Sequence, residues 1–232
     1  MPAQLPLQLN FSQQLGFVHY HSGANREAVV ALQRCASGEG ERYLYLWGET
    51  GTGKTHLLQA CCQTAHQQGQ RVGYLPLHQF HHRSPAVLEG LDQVDLLCLD
   101  DMHTIAGNPG WELALFHCFN RLSEQGRRLI VASRHPPTRL AIELADLRTR
   151  LAWGLTLQLK PLNDADKLAA LQLRAKQLGL ELSPQVGRFL LTRFPRDLSS
   201  LWHLLEQLDR ATLAAKRKLT VPFLKQFLAH RS

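Results

Sequence analysis

The chain has 232 residues, of which 44% are hydrophobic and 19% charged, and its net charge is +7. That length buries one large core, or a large one and a small one, and the composition excludes a disordered chain. No apolar run reaches the ~20 residues of a membrane span, and the N-terminus has no basic stretch leading into an apolar core, so neither a membrane anchor nor a secretory leader is predicted.

Residues 1–22 mix Pro, Gln, Leu and aromatics without a sustained period and read as an extended arm. Asn25 is the expected cap of a helix over 26–35. Ser37-Gly38-Glu39-Gly40 breaks to a strand over 42–47. Then come Gly48, Glu49, Thr50, Gly51, Thr52, Gly53, Lys54 and Thr55, a complete G-x-x-x-x-G-K-T phosphate loop. Strand before and helix after are the context that motif needs. Its glycines let backbone N–H groups close on polyphosphate, and the helix N-terminus adds partial positive charge. Lys54 reaches the outer phosphates, Thr55 ligates Mg²⁺, and His56 opens the helix and completes the predicted nucleotide-binding run.

That helix should stop at Gly69. A second strand follows over 72–75. His78, His81 and His82 have no cysteine or carboxylate nearby in sequence and read as a surface cluster rather than a zinc site. Ser84-Pro85 is a helix start. The third strand, over 94–99, ends in Asp100 and Asp101. In phosphate-loop proteins the first such acid orients Mg²⁺ and the next positions the attacking water. These are the expected roles of Asp100 and Asp101. A buried helix over 111–123, a strand over 128–132, a short helix over 144–151 and a fifth strand over 155–159 complete the pattern. Alternating strands and helices predict a parallel five-stranded sheet with helices on both faces.

From Asp164 onward only helices are predicted, over 164–178, 184–193, 197–214 and 222–229. Leu168, Leu171, Leu173 and Leu178 should form one stripe, and Leu201, Leu204, Leu205 and Leu208 another. The expected organisation is an arm over 1–22, an α/β base over 23–160 and a small all-α lid over 161–232. Residues 1–160 carry 14 Lys/Arg against 13 Asp/Glu, and residues 161–232 carry 12 against 6. The basic lid suits phosphates or an acidic protein face, or is simply a solvated helical surface. The five cysteines form no C-x-x-C pair and read as free thiols of a reducing cytoplasm.

The loop, its helix Gly53 to Ala60, the Leu99-Asp100-Asp101 strand end and the segment Arg150-Leu151-Ala152-Trp153-Gly154-Leu155-Thr156 together resemble the DnaA/Hda family of AAA+ ATPases. The likeness runs from about residue 17 to the end. It implies that Arg150 is an arginine finger, reaching a triphosphate held by a neighbouring protomer. A surface salt bridge is the plain alternative. It implies that Arg196 is a lid arginine contacting the nucleotide (sensor 2), against the alternative of pairing with Asp197 or Glu206. Ser133 falls at the sensor 1 position, where Arg134 replaces the family's acid and puts the chain's own ATPase activity in doubt. Tyr20 aligns with the adenine pocket, though ordinary core would explain it equally. The cofactors implied are ADP or ATP with Mg²⁺.

The chain reaches Ser232 directly after the lid, so a shortened member without a helix-turn-helix DNA reader is expected. The family implies that such a member acts with the DNA-loaded sliding clamp. It stimulates ATP hydrolysis by the initiator DnaA and so represses re-initiation of replication. In the arm, Gln4, Leu5, Leu7 and Leu9 of Gln4-Leu5-Pro6-Leu7-Gln8-Leu9 are similar to clamp-docking peptides. Gln can bond a pocket mouth while spaced leucines fill an apolar groove. The implied partners are DnaA and the clamp, with DNA reached through the clamp, in the cytoplasm at the replisome. A homo-oligomer is compatible with the family. The rival readings are a self-sufficient AAA+ ATPase, such as a helicase loader or DNA-remodelling motor, and a pure binding module.

Overall fold

The computed structural model describes residues 16–194, 198–215 and 218–229. The clamp-like peptide and Arg196 lie outside the described residues. The chain divides into two compact units, Met1–Pro161 and Leu162–Ser232.

The first unit is a five-stranded parallel sheet in the order β2-β3-β4-β1-β5, with β1 Tyr43–Trp47, β2 Val72–Pro76, β3 Leu96–Asp100, β4 Arg128–Ser133 and β5 Leu155–Gln158. Side chains alternate across a pleated strand, and here both faces are apolar. Leu44, Leu46, Leu96, Cys98, Ile130 and Ala132 face one core, closed by α1 (Arg26–Ala36) and α2 (Lys54–Gln67). Tyr45, Leu97, Leu99, Leu129 and Val131 face the other, closed by α3 (Pro109–Glu124) and α4 (Ala145–Leu151). All five residues of β3 are buried, as an inner strand covered on both faces requires. The five cysteines are buried and free.

The second unit holds α5 (Asp164–Gln177), α6 (Pro184–Arg193), α7 (Leu198–Ala215) and α8 (Val221–Ala229). Leu201, Leu204, Leu205 and Leu208 are all buried in its core. The expected α5 stripe is corrected at Leu173, which stays out of that core while Leu171 and Ala175 enter it. Two positions along a helix are about 200° apart, so Leu173 cannot share a face with Leu171. Glu206, the alternative partner for Arg196, is engaged by Arg174 at 2.6 Å. No helix among the described residues is long and apolar enough to cross a membrane.

Two further expectations are corrected. Ser84-Pro85 starts only a 3-10 turn, Pro85–Leu88, in which the Ser84 hydroxyl accepts from Ala86 N–H before Glu89 turns extended. Asn25 makes no side-chain cap on α1. Its buried amide instead grips the backbone of one residue, accepting from Lys160 N–H at 2.7 Å and donating to Lys160 C=O at 2.9 Å. A side-chain amide mimics a β-ladder partner there, and this long-range pairing outcompetes the local cap.

Candidate nucleotide site and arginine surface

The phosphate loop leaves the C-terminal end of β1, flanked by the ends of β4 and β5. That edge is where open α/β sheets hold their ligands. Gly48 N–H donates to Ser133 C=O at 3.2 Å, tying the loop to β4. Gly48 is required here because a Cβ would sit 2.6 Å from Leu159 C=O. Gly53 has φ +90°, and a Cβ on it would strike the Tyr20 ring at 2.6 Å. Glu49, Thr50 and Gly51 are exposed at the loop tip. The α2 N-terminus carries no side-chain cap, so its first amides are uncommitted to any capping side chain.

Lys54 is buried, and its ammonium donates to Gly48 C=O at 2.7 Å and Glu49 C=O at 2.8 Å. Burial lowers its pKa, the Asp100 and Asp101 charges oppose that, and the Arg134 charge adds to it. A cation destabilised in this way gains from any anion brought to the loop. The Thr55 hydroxyl donates to Asp100 Oδ2 at 2.7 Å. The Tyr74 hydroxyl, from β2, donates to the same oxygen at 3.0 Å, and Asp101 N–H donates to Oδ1 at 2.9 Å. Asp100 is nevertheless raised in pKa: burial dominates, Thr55 offsets part of it, and the Asp101 charge adds to it. Residues 48–55 and Asp100 therefore fit a Mg²⁺-nucleotide. The loop has open backbone, a buried cation and an uncapped helix, and a hydroxyl–carboxylate pair of hard oxygen ligands lies beside it.

This arrangement carries a stability cost that can be read directly. A carboxyl whose folded pKa is raised favours folding below its unfolded pKa, and that advantage is lost as pH rises through the folded value. At neutral pH the apo fold bears the burial of the Asp100 charge. Asp100→Asn keeps every contact satisfiable, with Oδ1 taking Asp101 N–H and the amide donating to both hydroxyls. It is expected to raise the apo Tm by about 2–4 °C, the equivalent of roughly 1 kcal/mol at this size. Thermal melts at neutral and acid pH check it, since the gain should shrink in acid. The same variant should lose Mg²⁺-dependent nucleotide binding.

Asp101 sits in the left-handed region at φ 57°, the one such non-glycine among the described residues. Its C=O accepts from Thr104 N–H and the Thr104 hydroxyl, which hold the turn. Its carboxylate pairs with His78 Nδ1 at 2.8 Å. His78 is thus not an idle member of a surface cluster, and its ring is the recorded partner of the acid expected to position water. The His103 ring lies in the same neighbourhood. Its pKa is lowered by burial, with Asp101 opposing and Arg134, His135 and Lys54 adding to the shift. Ser133 is fully buried, and its hydroxyl accepts from His135 N–H at 3.4 Å. Arg134 beside it is exposed. The Tyr20 hydroxyl donates to Thr52 C=O at 3.1 Å, its ring lies 5.6 Å from that of His56, and burial pushes its pKa up to about 12. His56 is buried on α2, with Nε2 3.2 Å from Gly16 C=O.

Arg150 occupies the last turn of α4, and its guanidinium lies over the Trp153 ring at 4.6 Å and the Phe119 ring at 6.0 Å. Trp153 stacks on Tyr43, the first residue of β1. The phosphate loop begins after Trp47, the last residue of that strand. Four strand steps of about 3.3 Å put ~13 Å between the two ends. Arg150 therefore belongs to the opposite end of β1 from its own chain's loop. Among the described residues Arg150 forms no ion pair.

Glu112 was missed by the sequence reading. It is 1% exposed, and its carboxylate accepts from Gly107 N–H at 2.7 Å, Glu143 N–H at 3.0 Å and Leu144 N–H at 2.8 Å. Leu144 is the N-cap of α4, so this one side chain joins the loop after Asp101 to the helix that carries Arg150. The available signal was a lone carboxylate on the helix stripe formed by Leu115, Phe119 and Leu122.

Parallel sheet, phosphate loop, strand-end acid pair and helical unit define the AAA+ fold. Residues 11–158 match the bacterial DnaA ATPase domain, and residues 164–228 match the lid domain of Hda. The chain belongs to the bacterial DnaA ATPase-domain family, a family of replication-initiation proteins. Domain III of the Thermotoga maritima replication initiation protein DnaA shares its fold, with TM-score 0.80, 24% identity, and 91% of this chain and 94% of that one covered. DnaA from Aquifex aeolicus bound to AMPPCP is 26% identical with TM-score 0.72, over 85% of this chain and 66% of that one. A replication initiator DnaA bound to AMPPCP and single-stranded DNA is 25% identical with TM-score 0.73, over 89% of this chain and 69% of that one. The chain thus spans about two thirds of each of these two nucleotide-bound chains.

Proposed function

We propose that this protein regulates replication initiation by promoting ATP hydrolysis on DnaA. It binds ADP or ATP with Mg²⁺ through residues 48–55 and Asp100, docks on the DNA-loaded sliding clamp through Gln4, Leu5, Leu7 and Leu9, and presents Arg150 to the triphosphate held by DnaA. The observation that carries this reading is the placement of Arg150. An arginine at the far end of β1 from its own loop, without a carboxylate partner among the described residues, suits a phosphate held by another protomer. A cation delivered in this way stabilises the charge that develops during phosphoryl transfer. Within this proposal Arg196 and Ser133 keep their sensor assignments and Tyr20 its assignment to the adenine pocket. The Thr55–Asp100 contact supports the second reading, turnover of ATP by the chain itself.

Phosphate release separates the two. The chain alone, the chain with clamp and DNA, and the full mixture with ATP-loaded DnaA are compared. The proposal expects release above background only in the full mixture, and loss of that release when residues 1–10 are deleted. Steady turnover by the isolated chain would favour the self-sufficient ATPase. Equal release with and without this protein would leave a binding module.

A further inference from the structure

We infer that Trp153 is the positioning residue for Arg150, a ring platform that sets the direction of the guanidinium while leaving its charge unneutralised. This rests on the trans role proposed for Arg150. Three elements converge on the arginine. Phe119 comes from α3, Tyr43 from the start of β1, and Trp153 from the turn between α4 and β5. Tyr43 stacks on Phe119 with centroids 4.9 Å apart and on Trp153 with planes only 8° apart. The guanidinium bridges the outer two rings.

The turn itself is built for this. Trp153 N–H donates to Arg150 C=O at 3.1 Å, which fixes the ring three residues past the cation. Gly154 lets the following strand close on β1, because a Cβ there would collide with the Tyr43 backbone carbonyl. That close approach is what lays the indole parallel to the Tyr43 ring. Yet Trp153 is 60% exposed. A side chain that only stabilised the core would be covered, whereas this one offers a large apolar face to solvent and holds a cation on it.

The chemistry explains why a ring and not a carboxylate does the holding. A carboxylate would take two guanidinium N–H groups and cancel the charge meant for the phosphate. An aromatic face attracts the cation through its quadrupole and leaves the N–H edge free to donate. A guanidinium already oriented loses less freedom when the triphosphate arrives, and that gain falls on the rate rather than on docking.

The test uses the full-length chain and its Trp153→Ala, Trp153→Phe and Arg150→Ala variants. In ¹⁵N–¹H spectra of the free chain, the Arg150 Nε–H signal is assigned by its absence from Arg150→Ala. It should be ring-current shifted in the parent and in Trp153→Phe, and should move to the ordinary arginine position in Trp153→Ala. In phosphate release from ATP-loaded DnaA, Trp153→Ala should lower the maximal stimulated rate by about 3–10-fold, with the half-saturating concentration unchanged within about twofold. Trp153→Phe should recover most of that rate. An unshifted Nε–H signal in the parent overturns the contact. A raised half-saturating concentration at full maximal rate makes Trp153 a docking contact and overturns the positioning role. Full activity of Trp153→Ala alongside an inactive Arg150→Ala rejects this inference alone. Full activity of Arg150→Ala removes the trans role and this inference with it.

Discussion

Lys54→Ala should weaken ADP and ATP binding by at least about 100-fold, read by titration calorimetry with Mg²⁺ present. Charge-assisted hydrogen bonds contribute about 1.5–3 kcal/mol each, and each ~1.4 kcal/mol is tenfold in affinity. The apo fold should survive. Lys54 spends its buried charge on two loop carbonyls and is itself disfavoured by burial. A second readout follows from linkage. Nucleotide at 100 times its Kd should stabilise the parent by about 2.7 kcal/mol, a rise of several degrees in Tm. Lys54→Ala should show no such rise. A variant that binds and melts like the parent would take the phosphates away from this loop.

Glu112→Ala should strongly destabilise the α/β unit. It removes a buried carboxylate that accepts from three backbone N–H groups, at Gly107, Glu143 and Leu144. A hydrogen bond to a charged acceptor contributes about 1.5–3 kcal/mol, against a total stability of roughly 5–15 kcal/mol. A net loss of about 3–5 kcal/mol, or a Tm drop of about 10 °C or more, is expected in thermal melts. Glu112→Gln should fall between the two, because its amide nitrogen meets N–H groups that need an acceptor. A Tm within about 2 °C of the parent for Glu112→Ala would show that water satisfies these amides.

The sheet was legible because each strand is short, apolar and bounded by turn residues, and because both faces are covered. The phosphate loop was legible as a contiguous pattern with the right flanks. So were Asp100 and Asp101, at the end of an unbroken apolar strand. What could not be read was everything that depends on residues meeting across the fold. Asn25 looks like a local cap until Lys160 supplies a better partner. His78 looks like one of three surface histidines until the left-handed turn at Asp101 aims a carboxylate at it. The Trp153 ring is visible as a letter in a family motif, but its role depends on Tyr43 and Phe119 arriving from two other elements. Ser84-Pro85 carries a sound local helix signal that fails because Glu89 turns extended after one turn.

The central claim is that one chain holds a nucleotide while its Arg150 serves a triphosphate on another. Single-turnover phosphate release from ATP-loaded DnaA, with DNA-loaded clamp and either the parent chain or Arg150→Ala, tests it most directly. The account predicts fast release with the parent and loss of at least about 100-fold with the variant, at undiminished nucleotide and clamp binding, in line with the 10³–10⁵ contributed by such arginines. Equal rates from the two proteins would contradict it.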